Sequence, residues 1–185
     1  MSATTSSEAY DPSTVHDLTR SQGRRGGLFR KILRTGRVAE PSPAPSSVAG
    51  HPIAKQLRGS LQIRVVDAGS CNGCELEISS AFNPVYDVER YGVRLVASPR
   101  HADALVVTGP VTHNMVTPLR KTFEATPAPK LVIALGDCAC DCGAFRGGHG
   151  VAGPVRDFVP ADVEIRGCPP HPDHIVEALR RLTGQ

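Results

Sequence analysis

The apolar positions change texture along the chain. Residues 1 to about 23 are rich in Ser and Thr and show no apolar period. Residues 27 to 34 then place Leu28, Phe29, Ile32 and Leu33 on one helical face and Arg30, Lys31 and Arg34 on another. That spacing predicts a short amphipathic surface helix, which at this length needs a docking surface to persist in water. A solvated tail is the alternative reading of the same residues. Pro41, Pro43 and Pro45 then punctuate a Ser/Ala/Pro stretch with the composition of a stiff linker.

From about Gln62, short β-branched runs alternate with helix-like segments. The runs are Ile63 to Val66, Val93 to Val96, Ala104 to Val107, Leu131 to Leu135 and Val163 to Ile165. Helices are expected to begin near Cys74, near Asn114 and near Pro172. The last has proline where a first turn accepts it and Ile175, Val176, Leu179 and Leu182 on one face. This alternation predicts an α/β domain over residues 60–185, three layers built on a mostly parallel, flavodoxin-like sheet. A flexible arm over residues 1–59, with the basic helix and the Pro-rich linker, precedes it.

Composition sharpens this picture in two places. A chain of 185 residues fits one domain plus a tail, and such a domain buries a substantial core without disulfides. The net charge of +3 is unevenly spread: Arg20, Arg24, Arg25, Arg30, Lys31, Arg34 and Arg37 lie between Asp17 and Glu40 with no acid among them. Removing those seven leaves the rest at about −4, a mildly acidic body with a basic arm. Aromatics are scarce and Trp is absent. The interleaving of rings and cations that binds single-stranded nucleic acid is therefore missing.

The six cysteines carry the chemistry: Cys71, Cys74, Cys138, Cys140, Cys142 and Cys168. The first thirty residues lack the apolar core of a secretory signal, and no apolar run approaches the ~20 residues of a membrane span. The expected setting is cytoplasmic and reducing, where cysteines serve as metal ligands or redox groups rather than disulfides. In an open parallel sheet, functional groups gather beyond the carboxyl ends of the strands. Cys71 and Cys74 follow the first predicted strand, Cys138 follows the run at 131–135, and Cys168 follows the run ending at Ile165.

Loops leaving one edge can bring these thiolates together, and four convergent thiolates are what a 4Fe-4S cubane needs. Cys168-Pro169 repeats the Cys-Pro ending of many cluster motifs, and Gly69, Gly73, Gly136, Gly143 and Gly167 allow close backbone approach. A thioredoxin-type dithiol would explain the C-x-x-C alone, and structural zinc usually takes two local C-x-x-C pairs. Inert buried thiols are the remaining alternative. One pair followed by widely separated single positions favours the cluster. Spacing does not choose among Cys138, Cys140 and Cys142 for the third position. His113, His149, His171 and His174 fall in loops or at a helix start and are assigned to no metal.

Together these residues resemble a known family, the small subunits of NiFe hydrogenases and the 20 kDa, cluster-bearing subunit of complex I. The resemblance rests on Ser70-Cys71-Asn72-Gly73-Cys74-Glu75, Gly136-Asp137-Cys138-Ala139 and Gly167-Cys168-Pro169-Pro170, and spans about residues 60 to 182. It implies Cys138 as third ligand, leaving Cys140 and Cys142 as small hydrophobes. The complex I subunit typically carries adjacent cysteines where this chain has C-x-x-C, so the hydrogenase side is the closer match.

The basic segment also looks like the arm of formate hydrogenlyase and other energy-converting, membrane-bound hydrogenase small subunits. Soluble hydrogenase small subunits continue well past the Cys-Pro-Pro motif, whereas this sequence stops seventeen residues after Cys168. The resemblance thus implies one 4Fe-4S cluster relaying electrons between a ferredoxin-like subunit and a large subunit that carries either NiFe or a quinone pocket. Residues 24–37 would meet a membrane subunit, and the complex would sit peripherally on the cytoplasmic side of the plasma membrane. Glu75 would lie at the large-subunit interface as a proton relay; an acid favoured by a helix N-terminus is the plainer account of it. A non-redox cluster or zinc scaffold is the alternative of another class.

Overall fold

The computed structural model describes Leu57 and residues 59–184. Contacts divide the chain into Met1–Ala44 and Pro45–Gln185, and all described residues belong to the second unit. The expected helix at 27–34 and the Pro-rich linker lie outside the described residues.

Five strands form one parallel sheet: β1 (Leu61–Asp67), β2 (Val93–Leu95), β3 (Ala104–Thr108), β5 (Leu131–Leu135) and β7 (Val163–Ile165). Their order is β2-β1-β3-β5-β7. With the short strands β4 (Val111–Thr112) and β6 (Val151–Gly153) set aside as their own antiparallel pair, this is the flavodoxin-like order. All five runs read from the sequence are strands, and the three expected helices are present. These are α1 (Gly73–Ala81), α2 (Val116–Ala125), entered through a 3-10 turn at His113–Met115, and α4 (Pro172–Thr183).

The central strands explain the apolar runs. Every residue of β3 and β5 is buried, because helices cover both faces of a parallel sheet. Alternate residues then serve opposite layers. Ala104, Val106, Leu131, Ile133 and Leu135 pack toward Ile78 of α1 and Ile175, Leu179 and Leu182 of α4. Leu105, Val107, Val132 and Ala134 pack with Leu119 of α2 on the other side. Helix α4 is well bounded: Pro172 opens it, the His171 ring accepts from the Asp173 amide at 3.3 Å, and Gly184 closes it at φ 75°.

Two features depart from the expectation. The β4–β6 pair was not read, since strands of two and three residues leave no period to detect. The segment expected as a loop after β5 is a short helix, α3 (Asp137–Asp141), which starts directly at Gly136 and ends at Cys142 with φ 69°. Cys138 and Cys140 are therefore helical. Three cysteines in five residues mask any propensity signal.

Candidate metal centre

The strands β1, β3, β5 and β7 end on one edge of the sheet, and a cavity of about 110 Å³ opens there. That is several times the ~10–15 Å³ one water needs by the same measure. Cys71 and Cys74 reach it from the β1 side, Gly109 from β3, Asp137 and Cys138 from β5, and Gly167 and Cys168 from β7. The four thiols named by the motifs thus line a single cavity. Cys140 and Cys142 do not line it; they are buried elsewhere, Cys140 among Ala134, Ala139 and the core facing α2.

The electrostatics separate the two groups in the same way. Burial, then Glu75, Cys138, Cys71 and Cys168, push the Cys74 thiol up to about 12. Cys138 is raised by burial first and then by Cys168, and Cys71 raises it further. Both buried thiols thus feel the other cysteines of the cavity. Cys140, pushed up to about 11, is raised by burial and then Glu164, and Cys142 is raised by burial against the lowering effect of Arg146.

Among the described residues no Lys, Arg or His lines the cavity. Four thiols face one another there without a counter-cation, and a bound cationic metal would convert them to thiolates. Among the described residues, no three Cys, His, Asp or Glu side chains form a group that could hold a single metal ion. The four thiols line a cavity of about 110 Å³, and this donor set fits an iron-sulfur group.

Local structure presents each cysteine. At the end of β1, one oxygen of Asp67 accepts from the amides of Gly69 and Ser70, at 2.8 and 2.7 Å, and turns the chain into the cavity. Ser70 Oγ accepts from the Asn72 amide at 2.9 Å, and Asn72 is left-handed at φ 71° just before α1. Cys71 and Cys168 are exposed, whereas Cys74 and Cys138 are buried. Gly136 sits at φ 90°, and a Cβ there would stand 2.6 Å from the Cys74 sulfur. Only glycine accepts that backbone and that approach together.

Glu75 lies in the first turn of α1, where the helix N-terminus favours its carboxylate. It accepts from Ser70 Oγ at 2.6 Å and from Thr108 Oγ1, linking the exits of β1 and β3. The group is half-buried and faces a second, open groove with Arg64 and Leu95 rather than the thiol cavity. His113, His149, His171 and His174 lie off the thiol cavity. Asp137 was missed as a site residue, although it sits inside one of the cysteine motifs; its side-chain partner is thirty residues away, beyond any local signal.

The family description matched over residues 71–182 is NADH ubiquinone oxidoreductase, 20 Kd subunit. The chain belongs to this family of oxidoreductase subunits. It is similar to a probable membrane-bound hydrogenase subunit of Pyrococcus furiosus, 46% identical over 62% of this chain and 68% of the relative. Formate hydrogenlyase subunit 7 of Escherichia coli is 42% identical over 65% of this chain and 47% of its own length. An NADH-quinone oxidoreductase subunit of Herpetosiphon aurantiacus is 37% identical over 59% of this chain and 61% of the relative. Among solved structures, a chain of the membrane-bound sulfane sulfur reductase, an archaeal respiratory membrane complex, superposes with a TM-score of 0.60. It shares 29% identity, over 72% of this chain and 76% of that chain. Among the described residues no helix is long and apolar enough to cross a membrane.

Proposed function

We propose that Cys71, Cys74, Cys138 and Cys168 hold one 4Fe-4S cluster, and that the chain relays electrons within a membrane-bound, hydrogenase-type complex. The observation that carries this is the single cavity lined by these four thiols and by no basic residue among those described. When bound, the cluster supplies a one-electron carrier whose potential depends on burial and on hydrogen bonds to its sulfurs. The protein's part is positional: Cys74 and Cys138 anchor the buried side, and Cys71 and Cys168 form the exposed side, toward which a redox partner can approach.

The partners proposed are a large subunit that completes catalysis and a ferredoxin-like subunit that supplies or takes electrons. The C-x-x-C at Cys71–Cys74 and the 46% identical hydrogenase relative favour the hydrogenase branch. The quinone reading rests on the NADH-quinone oxidoreductase relatives. The neighbouring large-subunit gene separates them: two C-x-x-C pairs near its ends indicate NiFe, and their loss indicates quinone or another acceptor.

Glu75 is proposed as a proton relay at the large-subunit face, supported by its two hydroxyl donors. Glu75→Gln should lower turnover of the complex while leaving the cluster spectrum intact. Residues 24–37 are proposed, on their apolar and basic faces, to meet the membrane module on the cytoplasmic side. Deleting residues 1 to 45 should loosen membrane association in fractionation and leave the cluster unchanged.

Anaerobic iron and sulfide analysis with EPR of the reduced protein tests the central reading. Four irons and four sulfides per chain, with a reducible signal, are expected. A zinc-loaded protein, or a spectrum unchanged between strong oxidant and strong reductant, sinks electron transfer.

A further inference from the structure

The loops of Cys138 and Cys168 leave adjacent parallel strands whose ladder gives way to an aspartate side chain at both ends, at Asp162 and Val132 where the strands begin and at Asp137 and Gly167 where they reach the cavity. Strands β5 and β7 pair Leu135 with Ile165, and the ladder runs one step further as the Gly136 amide donates to the Ile165 carbonyl at 2.7 Å. In a regular parallel ladder the next bond would run from the Gly167 amide to the Gly136 carbonyl. That carbonyl is already engaged. It accepts from the Ala139 and Cys140 amides, at 3.1 and 3.2 Å, and so starts the helix that carries Cys138.

The Asp137 carboxylate takes its place. Its Oδ1 accepts from the Gly167 amide at 2.9 Å, while the Asp137 amide donates to the Gly167 carbonyl at 2.9 Å. The two residues are joined by a reciprocal pair of hydrogen bonds, each immediately preceding a cysteine of the cavity. Asp137 and Gly167 both line that cavity, so the clasp lies at its wall. It also lets two incompatible demands coexist, since the helix under Cys138 uses the carbonyl that the ladder beside Cys168 would otherwise need.

We propose that Asp137 is a positioning residue that sets the separation of the Cys138 and Cys168 thiols, acting as a hydrogen-bond acceptor rather than as a charge. The proposal deepens the cluster reading and rests on it for the consequence to metal retention. The backbone clasp itself does not. An unpartnered Gly167 amide would leave the Cys168 loop free to move away from α3, and outer partners of this kind affect metal affinity by roughly 10–100-fold.

Three variants of the full chain, purified anaerobically, decide it. Asp137→Asn keeps the Oδ1 acceptor without the charge, Asp137→Glu keeps the charge on a longer arm, and Asp137→Ala removes both. Iron release to a chelator should run at the wild-type rate in D137N and roughly ten-fold faster in D137E and D137A. Exchange of the Gly167 amide, followed by NMR, should be slow in wild type and D137N and about ten-fold faster in D137E, the size of one lost hydrogen bond. Should D137A fail to fold, the D137N and D137E pair still decides.

Wild-type behaviour in D137E with fast release in D137N would overturn the acceptor role, as would a fast-exchanging Gly167 amide in the wild type. If the wild type binds no cluster, the metal reading fails alone. The Gly167 exchange rates in D137N and D137E then decide the clasp.

Discussion

The body of the sheet and its carboxyl edge are built on opposite principles. In the body, β3 and β5 bury every residue, pair in unbroken register and alternate their side chains between two apolar layers. At the edge, each of the four strands that reach the cavity is followed within two residues by a positive-φ glycine, at Gly69, Gly109, Gly136 and Gly167. The edge also gathers four thiols, of which the two buried ones, Cys74 and Cys138, have pKa values raised first by burial and then by neighbouring cysteines. Glycine takes those backbone angles without strain and the raised pKa values keep the buried thiols protonated, while the ladder and the two cores beneath hold the loop origins still. The comparison teaches that the rigid body fixes the origins of the segments that leave it, and that the cavity cysteines sit in those segments, Cys71 and Cys168 in loops and Cys74 and Cys138 in the first turns of α1 and α3.

The largest effect that would break this division is loss of the bound group. Cys71→Ser, Cys74→Ser, Cys138→Ser and Cys168→Ser should each abolish or degrade the cluster, whereas Cys140→Ser and Cys142→Ser should retain it, as read by reduced-state EPR and iron content. Cys140 already stands 3.8 Å from the Ala134 carbonyl oxygen, so a serine there keeps an acceptor for its hydroxyl. A full signal in C138S together with its loss in C140S would reverse the assignment of the third position.

A change in the body should instead act on stability. Leu135→Ala removes a fully buried side chain and should cost about 2–5 kcal/mol in urea unfolding. A loss below about 1 kcal/mol would show that β5 does not brace the edge as described.

Gly136→Ala sits at the boundary between the two regions. Its methyl group would meet the Cys74 sulfur in a left-handed conformation, so about 1–3 kcal/mol of destabilisation is expected, with impaired metal loading. Normal stability and normal iron content together would remove the close approach from the account.

The smallest effect is one of rate. In metal-free protein near pH 8, iodoacetamide should label exposed Cys71 and Cys168 first. Cys74 and Cys140 should label last, because burial and raised pKa values leave little thiolate. Mass spectrometry of partially labelled protein reads the order directly, and early labelling of Cys74 would contradict its burial.

Much of this molecule was legible from its residues alone. Unbroken β-branched runs separated by helical periods demand a parallel sheet covered on both faces, and they located all five of its strands. The rule that function gathers at the carboxyl ends named Cys71, Cys74 and Cys168, because it depends on chain order alone. The third cysteine was different. Cys138, Cys140 and Cys142 follow the same strand, and only the helical turn of α3 directs Cys138 to the cavity and Cys140 into the core. The Asp137–Gly167 clasp and the bond from Thr108 to Glu75 likewise join residues about thirty positions apart. Local propensity and spacing act over a few residues, so partners brought together by strand pairing exist only once the sheet has formed.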